Sequence, residues 1–198
     1  IRRQRQMCIR DSCMSVRRTQ NTPRIRVNLA RHFNARVQMD LFFIFDLTFL
    51  IMVDECIRWC ITAPLVDKTA ATLLRAVFDS WIQYFGPMLV IAFDQEGGIT
   101  SEMCSVMCEK FCITRDLGGS QGHGGAPVAE RRLAIVKLAA LKCKRSIAAQ
   151  GYDVTDAMLV QECAMVTNHT LVYNGVTPAQ ALTGSQPREL YDLSLIHI

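Results

Sequence analysis

Three acidic residues occupy settings in which a charged carboxylate needs a physical reason. Asp40 lies inside the apolar run VQMDLFF, and Asp94 ends the apolar run 88–93 directly before a glycine turn. Glu130 enters the first turn of a helix-forming segment just after a glycine-rich loop. An ionised carboxylate within buried strands is costly unless it is paired or ligates a cation. Brought together, three such groups repel one another, and a divalent ion relieves that repulsion. Oxygen-only ligands suit Mg2+ or Mn2+ rather than softer metals. Two such ions side by side can run in-line phosphoryl transfer, one activating the attacking oxygen and the other stabilising the leaving oxygen. Spacing alone leaves alternatives open. Each acid could be a solvated turn residue, and Asp46 or Asp54 could replace Asp40 as the first ligand.

The elements that must position these acids can be read from pattern. Segments 37–45 and 47–53 are rich in aromatic and β-branched residues, with Asp46 at the turn between them, and 57–65 follows as a third strand. Strands so closely spaced predict an antiparallel meander. Asp67 or Thr69 then caps a helix whose apolar positions run from Ala70 through Leu73, Leu74, Val77, Phe78 and Trp81 to Ile82, stopped by Gly86-Pro87. The wholly apolar 88–93 predicts a strand buried on both faces. A helix opened by Thr100 or Ser101 runs to about Cys112, and 113–116 reads as a short edge strand. Five glycines within residues 117–126 build no packed element and predict a mobile loop. Pro127 suits the first turn of a long helix reaching about Gln150. Thr155 caps a helix to about Thr170, and Thr177-Pro178 starts a last one closed by Gly184. The order β-β-β-α-β-α-(β)-α-α predicts an α/β fold, a mixed sheet with helices packed on it.

The chain has 198 residues, half of them apolar, enough for one sizeable core. Its net charge of +4 is uneven, because residues 1–12 carry +3 of it. The overall charge is therefore weak evidence for a nucleic-acid partner, and local clusters must carry that argument. Residues 1–12 and 193–198 resemble translated sequencing-adaptor read-through and are expected to be non-native. Residues 13–35, polar and arginine-rich, read as a linker or remnant of an upstream module, which leaves 36–190 as the core. Nine cysteines form no Cys-x-x-Cys pair, and Cys104, Cys108 and Cys112 fall on one helical face. Free cysteine behaves as a small buried hydrophobe, so a core stripe in a reducing compartment is expected, and no zinc. The most apolar run, 41–53, is too short to span a bilayer as a helix, and no membrane partner is expected.

Over residues 36–190 the chain resembles the catalytic core of retroviral and LTR-retrotransposon integrases, of gypsy-like type. The residues that carry the resemblance form a set. VQMDLFF matches the family's first strand and its leading Asp, and IMVDECIRW its second strand. WIQYFGPMLVIAFD matches the helix, Gly-Pro turn and strand before the second Asp. APVAERRLAIVK matches the helix carrying the Glu, and VTPAQALTGSQPREL the closing segment. Between Asp94 and Glu130 lie 35 residues, and between Asp40 and Asp94 lie 53, both intervals being those of the family's Asp, Asp-35-Glu triad. The sequence departs from the family at Glu96, Gly98 and Ile57, where glycine, a polar residue and Ser or Thr are usual.

The resemblance implies a ribonuclease-H-like fold, a mixed five-stranded sheet flanked by helices. It implies a catalytic and metal-binding set of Asp40, Asp94 and Glu130 with two Mg2+ or Mn2+ ions, and leaves Asp54 a turn-capping role. The implied activity is DNA integration: 3′-end processing and strand transfer by a polynucleotidyl transferase with endonuclease character. A related transposase or nuclease, or an inactive DNA-binding fragment of a decayed retroelement, are the other readings. DNA and further copies of the chain are the implied partners, in the nucleus during integration and in a cytoplasmic particle before it. Lys137 occupies the family's position for the lysine that holds the DNA end. At 100° per residue Lys144 projects near the same side as Glu130, and His123 in the glycine loop is a third candidate DNA contact. For Arg131, Arg132, Lys142 and Arg145 a solvated helix face is expected.

Overall fold

A computed structural model describes residues 29–93, 102–117, 126–151 and 153–185. Five strands form one mixed sheet in the order β3-β2-β1-β4-β5. These are β1 (Arg36–Ile44), β2 (Leu47–Asp54), β3 (Cys60–Leu65), β4 (Val90–Phe93) and β5 (Thr114–Leu117). The predicted meander is present: β1, β2 and β3 pair antiparallel. On the other side β1 pairs parallel with β4, and β4 with β5. Parallel neighbours need crossovers, and helices supply them.

Alternation along the strands splits the core into two layers. Val37 and Met39 of β1, with Leu50 and Met52 of β2, pack beneath the crossover helices α1 (Ala70–Val77), α2 (Gln83–Phe85) and α3 (Glu102–Lys110). Phe42 and Ile44, with Phe49, Ile51 and Val53, face the long helix α4 (Pro127–Gln150) and α5 (Asp156–Thr170). Phe42 and Phe49, directly opposite in the ladder, stack with ring centroids 5.2 Å apart. A short helix α6 (Pro178–Thr183) follows, opened by a capping box in which Thr177 and Gln180 satisfy each other's backbone N–H.

Several local expectations are sharpened. The β1–β2 turn is a two-residue hairpin in which Phe45 and Asp46 both take positive φ, 53° and 61°. That twist matches the strands it joins. β3 starts at Cys60 rather than Ile57, because Arg58 sits at φ 66° and ends the turn after β2. Asp54 holds that turn. Its Oδ1 accepts from the backbone of Cys56 (2.9 Å) and Ile57 (2.7 Å), and its Oδ2 from Asn34 N (2.9 Å). Burial pushes its carboxyl above the usual range, against the opposing pull of those three N–H donors. Asp54→Ala strips three donors of their acceptor and is expected to cost about 2–3 kcal/mol, while Asp54→Asn, which keeps Oδ1, costs about 1. Urea unfolding midpoints check the order, and equal losses would contradict it.

Thr69 caps α1, its hydroxyl accepting from Thr72 N, while Asp67 braces Thr69. The expected continuous helix is interrupted by a π-helical turn, Phe78–Ile82, closed by Gln83 N–H donating to Phe78 O. The wider turn buries consecutive Trp81 and Ile82. Of the cysteine stripe, Cys104 and Cys108 are buried. Cys112 instead lies beyond α3, exposed, at φ 55° where the chain reverses. Burial pushes the Cys60 thiol up to about 12, a packed group rather than a nucleophile. The packed unit also reaches upstream of β1: Phe33 meets Trp81 and Phe85, and Ala30 N donates to Glu55. Among the described residues no helix is long and apolar enough to cross a membrane.

Candidate active site

Asp40 lies mid-strand on β1, half-buried, opposite Ile51 and on the same face as Gln38 and Phe42. That is the face covered by α4. On the opposite edge β1 runs parallel to β4, and the last matched pair is Met39 with Phe93. Asp40 and Asp94 are the next residues of their respective chains. Asp94 and His123 themselves lie outside the described residues. Parallel strands bring their carboxyl ends to one edge, the place where open α/β sheets hold their ligands.

α4 lies along β1 in the same direction, as three contacts establish. Gln38 Oε1 accepts from Val128 N (2.8 Å) and Ala129 N (3.2 Å). Lys137 Nζ lies 5.5 Å from the centroid of Phe42, and Lys144 Nζ 4.0 Å from that of Phe45. Asp40 falls between the first two of these. The small residues Ala129 and Ala140, with Val136, are fully buried on this face and let the helix approach closely. Glu130 follows Ala129 and is exposed in the first turn, its N–H donating to Ala126 O. Ala126 offers no side-chain cap to this helix start, so Gln38 supplies one from the sheet.

The two lysines part company. Lys137 stays half-buried above the strand residue two beyond Asp40. Lys144 is drawn to the far end, ion-paired to Asp156 Oδ2 at 2.7 Å and seated over the hairpin Phe45. At 1.5 Å per residue Lys137 is about 10 Å from Glu130 along the helix and Lys144 about 21 Å. Only the former shares Asp40's neighbourhood. Arg132 corrects another expectation. It does not belong to a solvated face but is 2% exposed. Position 132 falls three residues after Ala129 and four before Val136, on the buried stripe. Its guanidinium donates to Thr167 O and Arg58 O and lies 5.5 Å from the Tyr173 ring, tying α4 to the β2–β3 turn and the end of α5. Arg131 is exposed.

Behind the helix start runs a buried polar chain that pattern reading missed. Gln38 Nε2 donates to Glu55 Oε2 (2.8 Å), Glu55 pairs with Arg36 (2.8 Å), and Arg36 reaches Asp116 on β5. The available signal was one amide residue, two positions before Asp40, on a mostly apolar strand. Among the described residues no three acids, histidines or cysteines gather to hold a metal, and the assigned trio includes Asp94, which lies outside them. The donors assigned are carboxylate oxygens alone, a set that fits a hard divalent ion.

The sheet order, the parallel β1–β4 pair and a long helix laid on β1 have counterparts among solved structures. The chain superposes on a chain of the simian T-cell lymphotropic virus intasome, solved in complex with PP2A regulatory subunit B56 gamma, with a TM-score of 0.70. Identity is 15%, over 85% of this chain and 61% of that one. The fold is that of a retroviral integrase catalytic core. The HTLV-2 integrase catalytic core domain, solved in complex with magnesium, gives a TM-score of 0.63 at 17% identity, over 75% of this chain and 95% of that one. The BIV integrase catalytic core domain gives 0.62 at 18%, over 75% and 93%. The chain thus spans nearly all of an isolated core but about three-fifths of the intasome chain. No protein-family model and no curated protein matches the sequence. The five-stranded mixed sheet flanked by helices is the ribonuclease-H-like arrangement expected from the sequence.

Proposed function

We propose that this chain is the catalytic core of a retroelement integrase, a polynucleotidyl transferase that trims the 3′ ends of element DNA and joins them to target DNA. One observation carries the reading: the helix bearing Glu130 is docked on the face of β1 that holds Asp40, while the β1–β4 register ends one residue before both Asp40 and Asp94. The HTLV-2 core of like fold was solved with magnesium. Asp40, Asp94 and Glu130 are the residues that would hold Mg2+ or Mn2+ here. The chemistry two such ions supply when bound is neutralisation of the charge that develops on the phosphate oxygens.

The chain's own residues do the rest. Asp40 is fixed by a strand paired on both sides and needs little reorganisation. Glu130 comes from a separate element and completes the set only when α4 is seated. Lys137, half-buried with its ammonium over the Phe42 ring, keeps a cation beside this site for a phosphate of the DNA end. Lys144, farther along α4, and His123 are proposed as further DNA contacts. DNA is the proposed partner and a homo-oligomer the proposed assembly. The nucleus is the proposed place of action, after a cytoplasmic particle.

The test is a joining assay with element-end DNA and Mn2+, reading nicked and joined products separately. Products dependent on Mn2+ support the reading, and their absence with the flanking domains restored would sink it. Lys137→Ala is expected to weaken DNA-end binding about five- to tenfold and to lower the salt slope of binding by about one, as one lost phosphate contact does. Lys144→Ala, whose ammonium is already engaged by Asp156, is expected to change affinity less than twofold. Fluorescence anisotropy across a salt series checks both.

A further inference from the structure

We propose that Gln38 is a positioning residue for Glu130, setting where that carboxylate stands by holding the first turn of α4 through two backbone N–H groups. The proposal rests on the functional reading above and goes beyond it, to a residue with no metal-ligating chemistry. The first N–H groups of a helix have no partner within the helix and point wherever the chain leads them. Here Val128 N–H and Ala129 N–H converge on one amide oxygen, Gln38 Oε1, which is the acceptor for both among the described residues. Ala129 immediately precedes Glu130, so holding its N–H fixes the Ala129 Cα, from which the chain passes directly to Glu130. Gln38 has little freedom to move: it is 1% exposed and its Nε2 is held by Glu55.

Glu55, likewise 1% exposed, is held in turn by Arg36 Nε at 2.8 Å and by Ala30 N at 3.0 Å, and Arg36 also reaches Asp116. A rigid polar chain therefore runs from β5 through β1 and β2 to the start of α4. Residues 118–125, directly before that start, include five glycines. Ala126 supplies no side-chain cap, so Gln38 is the side chain that holds this helix start among the described residues. Asp40 lies two residues along the same strand face, so one strand sets both ends of the Asp40–Glu130 relation.

The experiment compares Gln38→Met, which keeps the volume and loses the acceptor, with Gln38→Glu, which keeps an acceptor for both N–H groups but must share a proton with Glu55 where the amide donated to it. Amide hydrogen exchange, Mn2+ binding and nicking are read on the same preparations. In Gln38→Met the Val128 and Ala129 amides are expected to exchange at least tenfold faster, with the sheet and α5 unchanged. Mn2+ binding should weaken, nicking should fall ten- to a hundredfold, and DNA affinity should stay within twofold. Gln38→Glu, read at a pH low enough for that shared proton to be held, should retain the exchange protection and most of the Mn2+ binding. Adding Gln38→Met to Glu130→Gln should cause no further loss of Mn2+ binding, because the two act through one group.

Lost protection with unchanged Mn2+ binding would overturn the proposal, as would additive losses in the double variant. Should the wild-type chain bind Mn2+ without nicking DNA, the transferase reading fails. The binding and exchange data still decide the role of Gln38. Should Gln38→Met not fold, the exchange and Mn2+ data on Gln38→Glu decide it, since unprotected Val128 and Ala129 amides with wild-type Mn2+ binding contradict the proposal.

Discussion

Asp40→Asn is expected to abolish DNA nicking and joining, by on the order of 10^3-fold or more, while changing folding stability by less than about 1 kcal/mol. The two halves have separate causes. Loss of one ligand oxygen and its charge removes several kcal/mol of stabilisation from a transition state whose catalysis is mostly electrostatic, and each 1.36 kcal/mol is tenfold in rate. The fold barely notices, because the substitution is isosteric and both ladders of β1 run through backbone groups that asparagine retains. Asp46→Asn and Asp54→Asn are the controls, since either acid could serve as first ligand on spacing alone. Asp46 is exposed in the hairpin at φ 61°, a conformation asparagine also tolerates, so neither rate nor stability should move. Asp54 spends Oδ1 on the turn and Oδ2 on Asn34 N and should lose stability with little loss of rate per folded molecule. Single-turnover nicking with Mn2+, normalised to the folded fraction, separates the three. A near-normal rate for Asp40→Asn would remove it from the site.

The parts of this arrangement that were legible in the sequence are those written in period and punctuation. Aromatic and β-branched residues in 37–45 and 47–53 identified the two strands, and Asp46 marked the turn that the positive φ values require. Pro127 marked the start of α4, standing at N1, and the expected end at about Gln150 is where the helix stops, with Gly151 as its left-handed C-cap. What escaped depends on contacts between residues far apart in sequence. Nothing near Lys144 says that Asp156, across the turn after α4, will take its ammonium. Arg132 reads as surface charge until Thr167 O and Arg58 O are brought to it, across 35 and 74 residues. Gln38 caps a helix 90 residues away. The π-helical turn has no residue signature of its own; it follows from the need to bury Trp81 and Ile82 together.

The largest stability effect is expected at a residue the sequence placed in a linker. Asn34→Ala should destabilise the fold by about 3–4 kcal/mol, combining lost hydrogen bonds with the cost of a left-handed backbone for alanine. Asn34 stands at φ 62°. Its Oδ1 accepts from the indole Nε1 of Trp81 (2.9 Å), and its Nδ2 faces three carbonyls, those of Phe85, Gly86 and Pro87, at 3.0–3.3 Å. Its backbone N–H donates to Asp54 and its carbonyl accepts from Leu89 N (3.2 Å). One residue thus joins the end of the first crossover, the β2–β3 turn and the approach to β4. Asn34→Gly removes the conformational cost but not the bonding loss, so about 2 kcal/mol is expected. Asn34→Asp keeps the acceptor for Trp81 but sets a carboxylate oxygen against the three carbonyls. Its loss should therefore shrink as acid restores a proton donor there. For a chain of this length 3–4 kcal/mol corresponds to roughly 6–16 °C in Tm. Equal losses for Ala and Gly would show that backbone conformation contributes nothing. The position matters to the site as well as to stability. Leu89 N and Val90 N, bound to the carbonyls of Asn34 and Ala35, begin the β1–β4 ladder whose last pair precedes Asp40 and Asp94. Slippage there by one residue would put Asp94 beside a neighbour of Asp40 on the opposite face of the sheet. Asn34→Gly at saturating Mn2+ should accordingly lose nicking rate beyond its unfolded fraction, whereas Asp54→Ala, which takes one acceptor from Asn34 N but leaves the Asn34 side chain and carbonyl in place, should lose less.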